Sequence, residues 1–175
     1  MSQEELGCTD LEFDINCSYY SHDLKESLNE RVGNILVFFQ ILLGSSVMGK
    51  IGSPLVVGFL IAAIAAMQSA FKFGDAAARS RSSRIAYSKL RDRIRGNDED
   101  PEIFYEVQEK YYEEFSKETH VSSSYSKVGQ QCAYIKLGCK DRVELTWWHK
   151  TLAVLGGATQ IFEGKPKPSA AKIDD

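Results

Sequence analysis

VGNILVFFQILLGSSVMGKIGSPLVVGFLIAAIAAMQSAF, residues 32–71, decides how this chain folds. It holds 40 residues and one charged side chain, Lys50, in a protein of 175 residues that is 26% charged overall; at that average about ten charges belong there. As a single helix the run would measure about 60 Å, twice the apolar thickness of a bilayer, so it has to fold back. Gly49, Lys50, Ile51, Gly52, Ser53 and Pro54 mark the place, with two glycines, the charge, a serine suited to an N-cap and a proline suited to a first helical turn. The run divides into 32–48 and 54–71, each long enough to span a bilayer when flanking residues contribute. A buried helix pair in a soluble bundle would carry a polar face at helical spacing, and neither half does. The expectation is an all-α membrane protein built on a two-helix transmembrane hairpin.

Basic residues near the ends of each span set its orientation. Lys25 and Arg31 precede the first, Lys50 alone lies in the connection, and Lys72, Arg79, Arg81, Arg84, Lys89, Arg91, Arg93 and Arg95 follow the second. Both termini are expected in the cytoplasm, with the protein multi-pass in the plasma (inner) membrane. The start, MSQEELGCTD, lacks a basic n-region and does not read as a cleavable signal; 1–31 is expected as a cytoplasmic N-terminal segment.

Within the second span Gly58, Ala62, Ala66 and Ala70 recur every four residues and make a small-residue stripe on one face, the feature that lets membrane helices pack closely. It is the expected surface of a homo-oligomer. Gln40, Ser45, Ser46 and Gln68 are either hydrogen-bond partners between helices or the lining of a wet path. No Asp, Glu, His, Lys or Arg lies inside either span, which leaves a proton relay, a voltage sensor or a charged selectivity ring without a residue to carry it.

Residues 72–121 read as an antiparallel pair of cytoplasmic amphipathic helices. The first places Arg81, Arg84, Arg91 and Arg95 on a membrane-proximal basic face beside Tyr87, Leu90 and Ile94, with Gly74 its expected break from the span. Asp100 and Pro101 open the second, which sets Glu102, Glu106, Glu109 and Glu113 along one stripe. Eight basic and two acidic residues give 72–95 a net +6, and nine acidic and two basic give 98–118 a net −7. The apolar stripes are expected to hold the two together while the charges choose partner and register. Positive charge just below a span also fits anionic lipid headgroups. The total charge of −3 argues against bulk capture of nucleic acid, and no sequence-specific nucleic-acid contact is expected.

Residues 122–162 form a short C-terminal segment in which VELTWW fits either a strand or the start of an interfacial helix using Trp147, Trp148, Leu152 and Leu155, ended by Gly156 and Gly157. Residues 163–175 have the composition of a disordered tail. Cys8, Cys17, Cys132 and Cys139 match no zinc-ligand spacing, and no phosphate loop, triad or paired acid signature is present. No catalytic residue, cofactor or metal is expected, and the chain does not read as an enzyme.

The order of features resembles the SLATT family of two-transmembrane effector domains found beside prokaryotic nucleotide-signalling and conflict genes. The likeness rests on ILLGSSVMG entering the turn, AFKFGDAAARSRSSRIAYSKLRDRI after the second span, with Arg84, Tyr87 and Leu90 at the spaced positions, and EIFYEVQEKYYEEF beyond it; it covers residues 28–121. It implies an effector of an anti-phage or conflict system that permeabilises or depolarises the cell membrane when triggered. It also implies a separate sensor or nucleotide-signalling protein as partner, since no sensing domain is fused here. A membrane-anchored scaffold without pore activity is the alternative, and a soluble helical protein with an apolar core pair is the third reading.

Overall fold

Asp10 and Glu12 place carboxylates against the exposed amide groups of a helix start, and from there no residue stops the helix until the glycine-rich turn. In the computed structural model, which describes residues 10–48, 53–95, 100–118, 123–139 and 142–162, the outcome is α1, Asp10–Met48, an unbroken rod of 39 residues and about 58 Å. The composition changes at Arg31, where the cytoplasmic N-terminal segment is expected to end, and the helix runs through that point unbroken. Its first part buries Leu11, Ile15, His22, Leu24 and Glu26, whereas Ile35, Phe38, Ile41 and Leu42 further along stand exposed.

Pro54 opens α2, Pro54–Phe71, behind an extended Ser53 whose side chain makes no capping bond. The path then continues into α3, Phe73–Arg95, through the single residue Lys72, which sits in the left-handed region at φ 47°. The break therefore falls at Lys72 rather than at Gly74, which lies inside α3. Asp100 accepts a hydrogen bond from the Glu102 amide and caps α4, Pro101–Lys117. α5, Ser123–Lys136, and α6, Trp147–Gly156, follow, with a 3-10 turn at Thr159–Phe162. The described part of VELTWW resolves into irregular chain and then helix, not strand, and Gly157, at φ 83°, ends α6. The all-helical expectation agrees with the structure: no strand occurs among the described residues. The expected turn at Gly49–Ser53 lies outside the described residues but for Ser53, as do 1–9, 96–99 and the 163–175 tail.

α1 is the wall shared by two cores. On one side Leu11 and Ile15 pack with Tyr87, Leu90 and Ile94 of α3 and Val107 and Tyr111 of α4. On the other, Leu24 packs with Val128 and Cys132 of α5 and Ala153 of α6. α3 runs antiparallel to α1, because Arg81 meets Glu30 and Glu26 while Arg95, fourteen residues on, meets Glu12. α4 runs antiparallel to α3, with Tyr111 beside Tyr87 and Glu106 paired to Arg93. α5 approaches α1 closely at Gly129, where a Cβ would stand 2.8 Å from the Cys17 carbonyl oxygen. Among the described residues one helical path, Pro54–Arg95, contains a window long and apolar enough to cross a membrane.

Candidate functional site

Two apolar stretches project from these cores. α2 shows almost its whole surface: Leu55 is 81% exposed and Phe59 72%, and Val57 is its one buried residue. The apolar part of α1 is exposed likewise, with Phe38 at 61%. The stretches are neighbours. Gly33 faces Phe73 closely enough that a Cβ there would stand 3.8 Å from that of Phe73, and Gly33 and Val37 line one open cleft with Gln68, Ser69 and Lys72. Contiguous exposed apolar surface of this extent marks a place that meets a partner or a membrane.

Gly58, Ala62, Ala66 and Ala70 are all exposed, so the stripe is not buried against any described residue. Ser45 donates to the Ile41 carbonyl and Ser46 to the Leu43 carbonyl, 2.9 and 2.6 Å, so both hydroxyls are satisfied by their own helix. Gln68 lines the cleft and Gln40 is half-buried. The structure does not bring these four polar residues together as one bonded set.

The basic face turns out to be turned toward α1. Glu26, with a side chain 7% exposed, accepts from Arg81 Nε and from Arg84 Nε, 2.7 Å each. Arg81 also reaches Glu30 at 2.9 Å and Arg84 reaches Asp23 at 3.6 Å. Arg95 pairs with Glu12 at 3.5 Å, and Arg91 lays its guanidinium 4.3 Å from the centroid of Tyr19. Burial raises the Glu26 carboxyl, and the hydrogen bonds from Arg84 and Arg81 outweigh it, leaving its pKa below the ordinary value. Burial holds Asp23 above the ordinary value even beside Arg84. The charges thus dock α3 on α1; Arg93 with Glu106 is the ion pair described between α3 and α4. Reasoning from sequence paired the basic helix with its neighbour in the chain and missed Glu12, Asp23, Glu26 and Glu30. Their signal was present in DLEFDINCSYYSHDLKESLNER, where Asp23, Glu26 and Glu30 fall at helical spacings of three and four.

Two further contacts fasten the assembly. His22, buried, donates from Nε2 to Glu118 Oε1 at 2.7 Å and stacks on Tyr87, ring centroids 5.8 Å apart. Burial and the Glu118 carboxylate push the Tyr87 phenol well up, so it stays neutral. Largely shut from solvent, these groups pin the end of α4 to α1. Arg31, where the apolar stretch begins, donates to the Leu155 carbonyl at 2.8 Å and to that of Val154 at 3.5 Å, capping the C-terminal end of α6. A Cβ at Gly157 would stand 2.6 Å from Arg31 Nη2, so glycine suits both the φ and the approach. Trp147, Trp148, Val154 and Leu155 of α6 remain exposed.

Among the described residues no group of three or more His, Cys, Asp or Glu side chains is placed to hold a metal ion. Comparison with family models, with curated proteins and with solved structures finds no match to this chain.

Proposed function

We propose that residues 32–48 and 54–71 insert as a transmembrane hairpin, with both termini and the helical head on the cytoplasmic side. We further propose that copies of the chain assemble and permeabilise or depolarise the membrane when the head is triggered. The observation that carries this reading is the pair of exposed, charge-free helical stretches growing without a linker out of a head locked by ion pairs. Burying such surface in lipid removes its cost in water, about 25 cal/mol for each Å² covered. A head joined to a membrane segment by continuous helix can pass a rearrangement into it; a tethered anchor needs no such joint. The absence of charge in both stretches supports coarse permeabilisation over selective transport. The likeness to SLATT domains adds the setting of a prokaryotic conflict system and a separate sensor protein.

The test is expression in bacterial cells with two readouts. The chain is expected in the membrane pellet after an alkaline carbonate wash, and cells carrying it in its triggered form are expected to lose signal from a potential-sensitive dye. Recovery in the soluble fraction would sink the membrane reading. Retention in the pellet without depolarisation, even with the neighbouring genes present, would turn the reading to the scaffold.

A further inference from the structure

α4 is held from one side. Val107 and Tyr111 face α3 and α1, while on the opposite side Tyr105 and Tyr112 stand 68% and 59% exposed. Seven residues apart, they lie about 10 Å from each other along one line of the helix, with exposed Glu109 between them. Exposed tyrosines are enriched at the centre of protein contacts, and a carboxylate between two of them needs a cation from whatever covers the ridge. Next to it, α3 and α4 enclose an open groove floored by Ile85, Ala86 and Leu90; its rim carries Lys89, Arg93 and Lys110 together with Glu113 and Glu114, and of these Arg93 is paired with Glu106 and the two carboxylates with Lys117. Ile85 is 45% exposed there. Lys110 is paired with Glu106, but Lys89 and Glu109 are both exposed and have no ion-pair partner among the described residues.

We infer that this groove receives the ridge of Tyr105, Glu109 and Tyr112 from a second copy of the chain standing beside the first in the same membrane. The inference rests on the hairpin reading, which fixes neighbouring copies upright and parallel. Charge argues for a copy rather than lipid: an acidic ridge is repelled by an anionic leaflet, while the cation that fits it is carried by the same chain. Register argues for it as well. Within one chain Tyr111 touches Tyr87 and Glu106 pairs with Arg93, so Glu109 stands at the height of residues 89 and 90, and Tyr112 at the height of 86 and 87. Copies related by rotation about the membrane normal keep those heights. Glu109 of one copy then meets Lys89 of the next, and Tyr112 comes level with Ala86, beside Ile85 on the groove floor, without any slide along the axis. Joining two different surfaces in this way is a head-to-tail contact, which closes into a ring when the rotation allows.

The test uses the full-length chain in membranes. Two differently tagged versions, Lys89→Cys and Glu109→Cys, are expressed together and oxidised. A mixed-tag disulfide is expected in the mixture and not when either version is expressed alone. Charge reversal gives the second arm: Lys89→Glu and Glu109→Lys are each expected to lower mixed-tag co-purification at least about fivefold, and the chain carrying both to return within about twofold of the parent. These are surface positions, so neither variant removes the fold. No mixed-tag disulfide, or no recovery in the doubly reversed chain, overturns the interface. Carbonate pelleting of the same samples separates that from failure of the membrane reading, since a chain that stays in the pellet without the crosslink removes the interface alone.

Discussion

Glu26 is the residue on which the docking of α3 turns. A carboxylate buried to 7% exposure costs several kcal/mol to desolvate unless cations repay it, and Arg81 and Arg84 each supply a hydrogen bond. Because the Arg81 side chain is 56% exposed, it returns to water when its partner goes, which trims the cost of losing the pair below that of a fully enclosed one. Glu26→Gln is therefore expected to destabilise the protein in detergent by about 2 kcal/mol, toward the lower end for a buried pair. The sign with pH follows from the lowered carboxyl pKa. The stabilisation is complete above the unfolded carboxyl value and is lost as pH falls through the lower, folded one. Melting curves of parent and Glu26→Gln are expected to converge below about pH 4; a gap that stays constant down to pH 3 would show that the charge plays no part.

At the scale of the element, close approach of helices does what charge does for α3. Gly129 of α5 lies against α1 so closely that a Cβ would meet the Ser21 hydroxyl, the Cys17 carbonyl oxygen at 2.8 Å and the Ser21 amide at 2.9 Å. The last two are backbone and cannot turn aside. Gly129→Ala is expected to force α5 off α1 and to cost about 1–3 kcal/mol as overpacking, against the gain of up to about 1 kcal/mol that alanine brings to an open helix interior. Gly58→Ala, where nothing lies within 4 Å in the isolated chain, is the control that is not expected to lose stability as a monomer. Thermal melting of the two variants in detergent checks both signs, and a stabilised Gly129→Ala would refute the close contact. Gly129 shows what the sequence displayed and what it hid. The starts of α2, at Pro54, and of α4, at Asp100 and Pro101, and the end of α6, at Gly157, are written in residues whose backbone chemistry acts locally. The approach of Gly129 to Cys17 and the grip of Glu26 on Arg81 join residues far apart in the chain, where no local pattern names the partner. At Arg31 hydropathy switches but nothing in the backbone does, so α1 runs through that point as one helix.

At the scale of the whole molecule that continuity is the mechanical claim. Leu11, Ile15 and Leu24 of α1 are packed in the two cores, Ile35, Phe38, Ile41 and Leu42 of its apolar part stand exposed, and Arg31 at the junction also ties down α6. On the proposed function, an unbroken α1 carries movement of the head as a lever, whereas the path between α2 and α3 is broken at the left-handed Lys72. Val32→Pro tests the lever. Proline there removes the amide that bonds back to residue 28 and crowds that carbonyl, at about 3 kcal/mol in a helix interior. Val32 is only half-buried and belongs to neither core, so the kink falls between the core-packed part of α1 and its apolar run, and strains only the Arg31 contact with α6. Val32→Pro is expected to remain in the membrane pellet and to retain co-purification between tagged copies, but to lose depolarisation, whereas Val32→Ala retains all three. Full depolarisation by Val32→Pro would show that movement reaches the hairpin without α1, leaving the path through Lys72 as the one that opens the membrane.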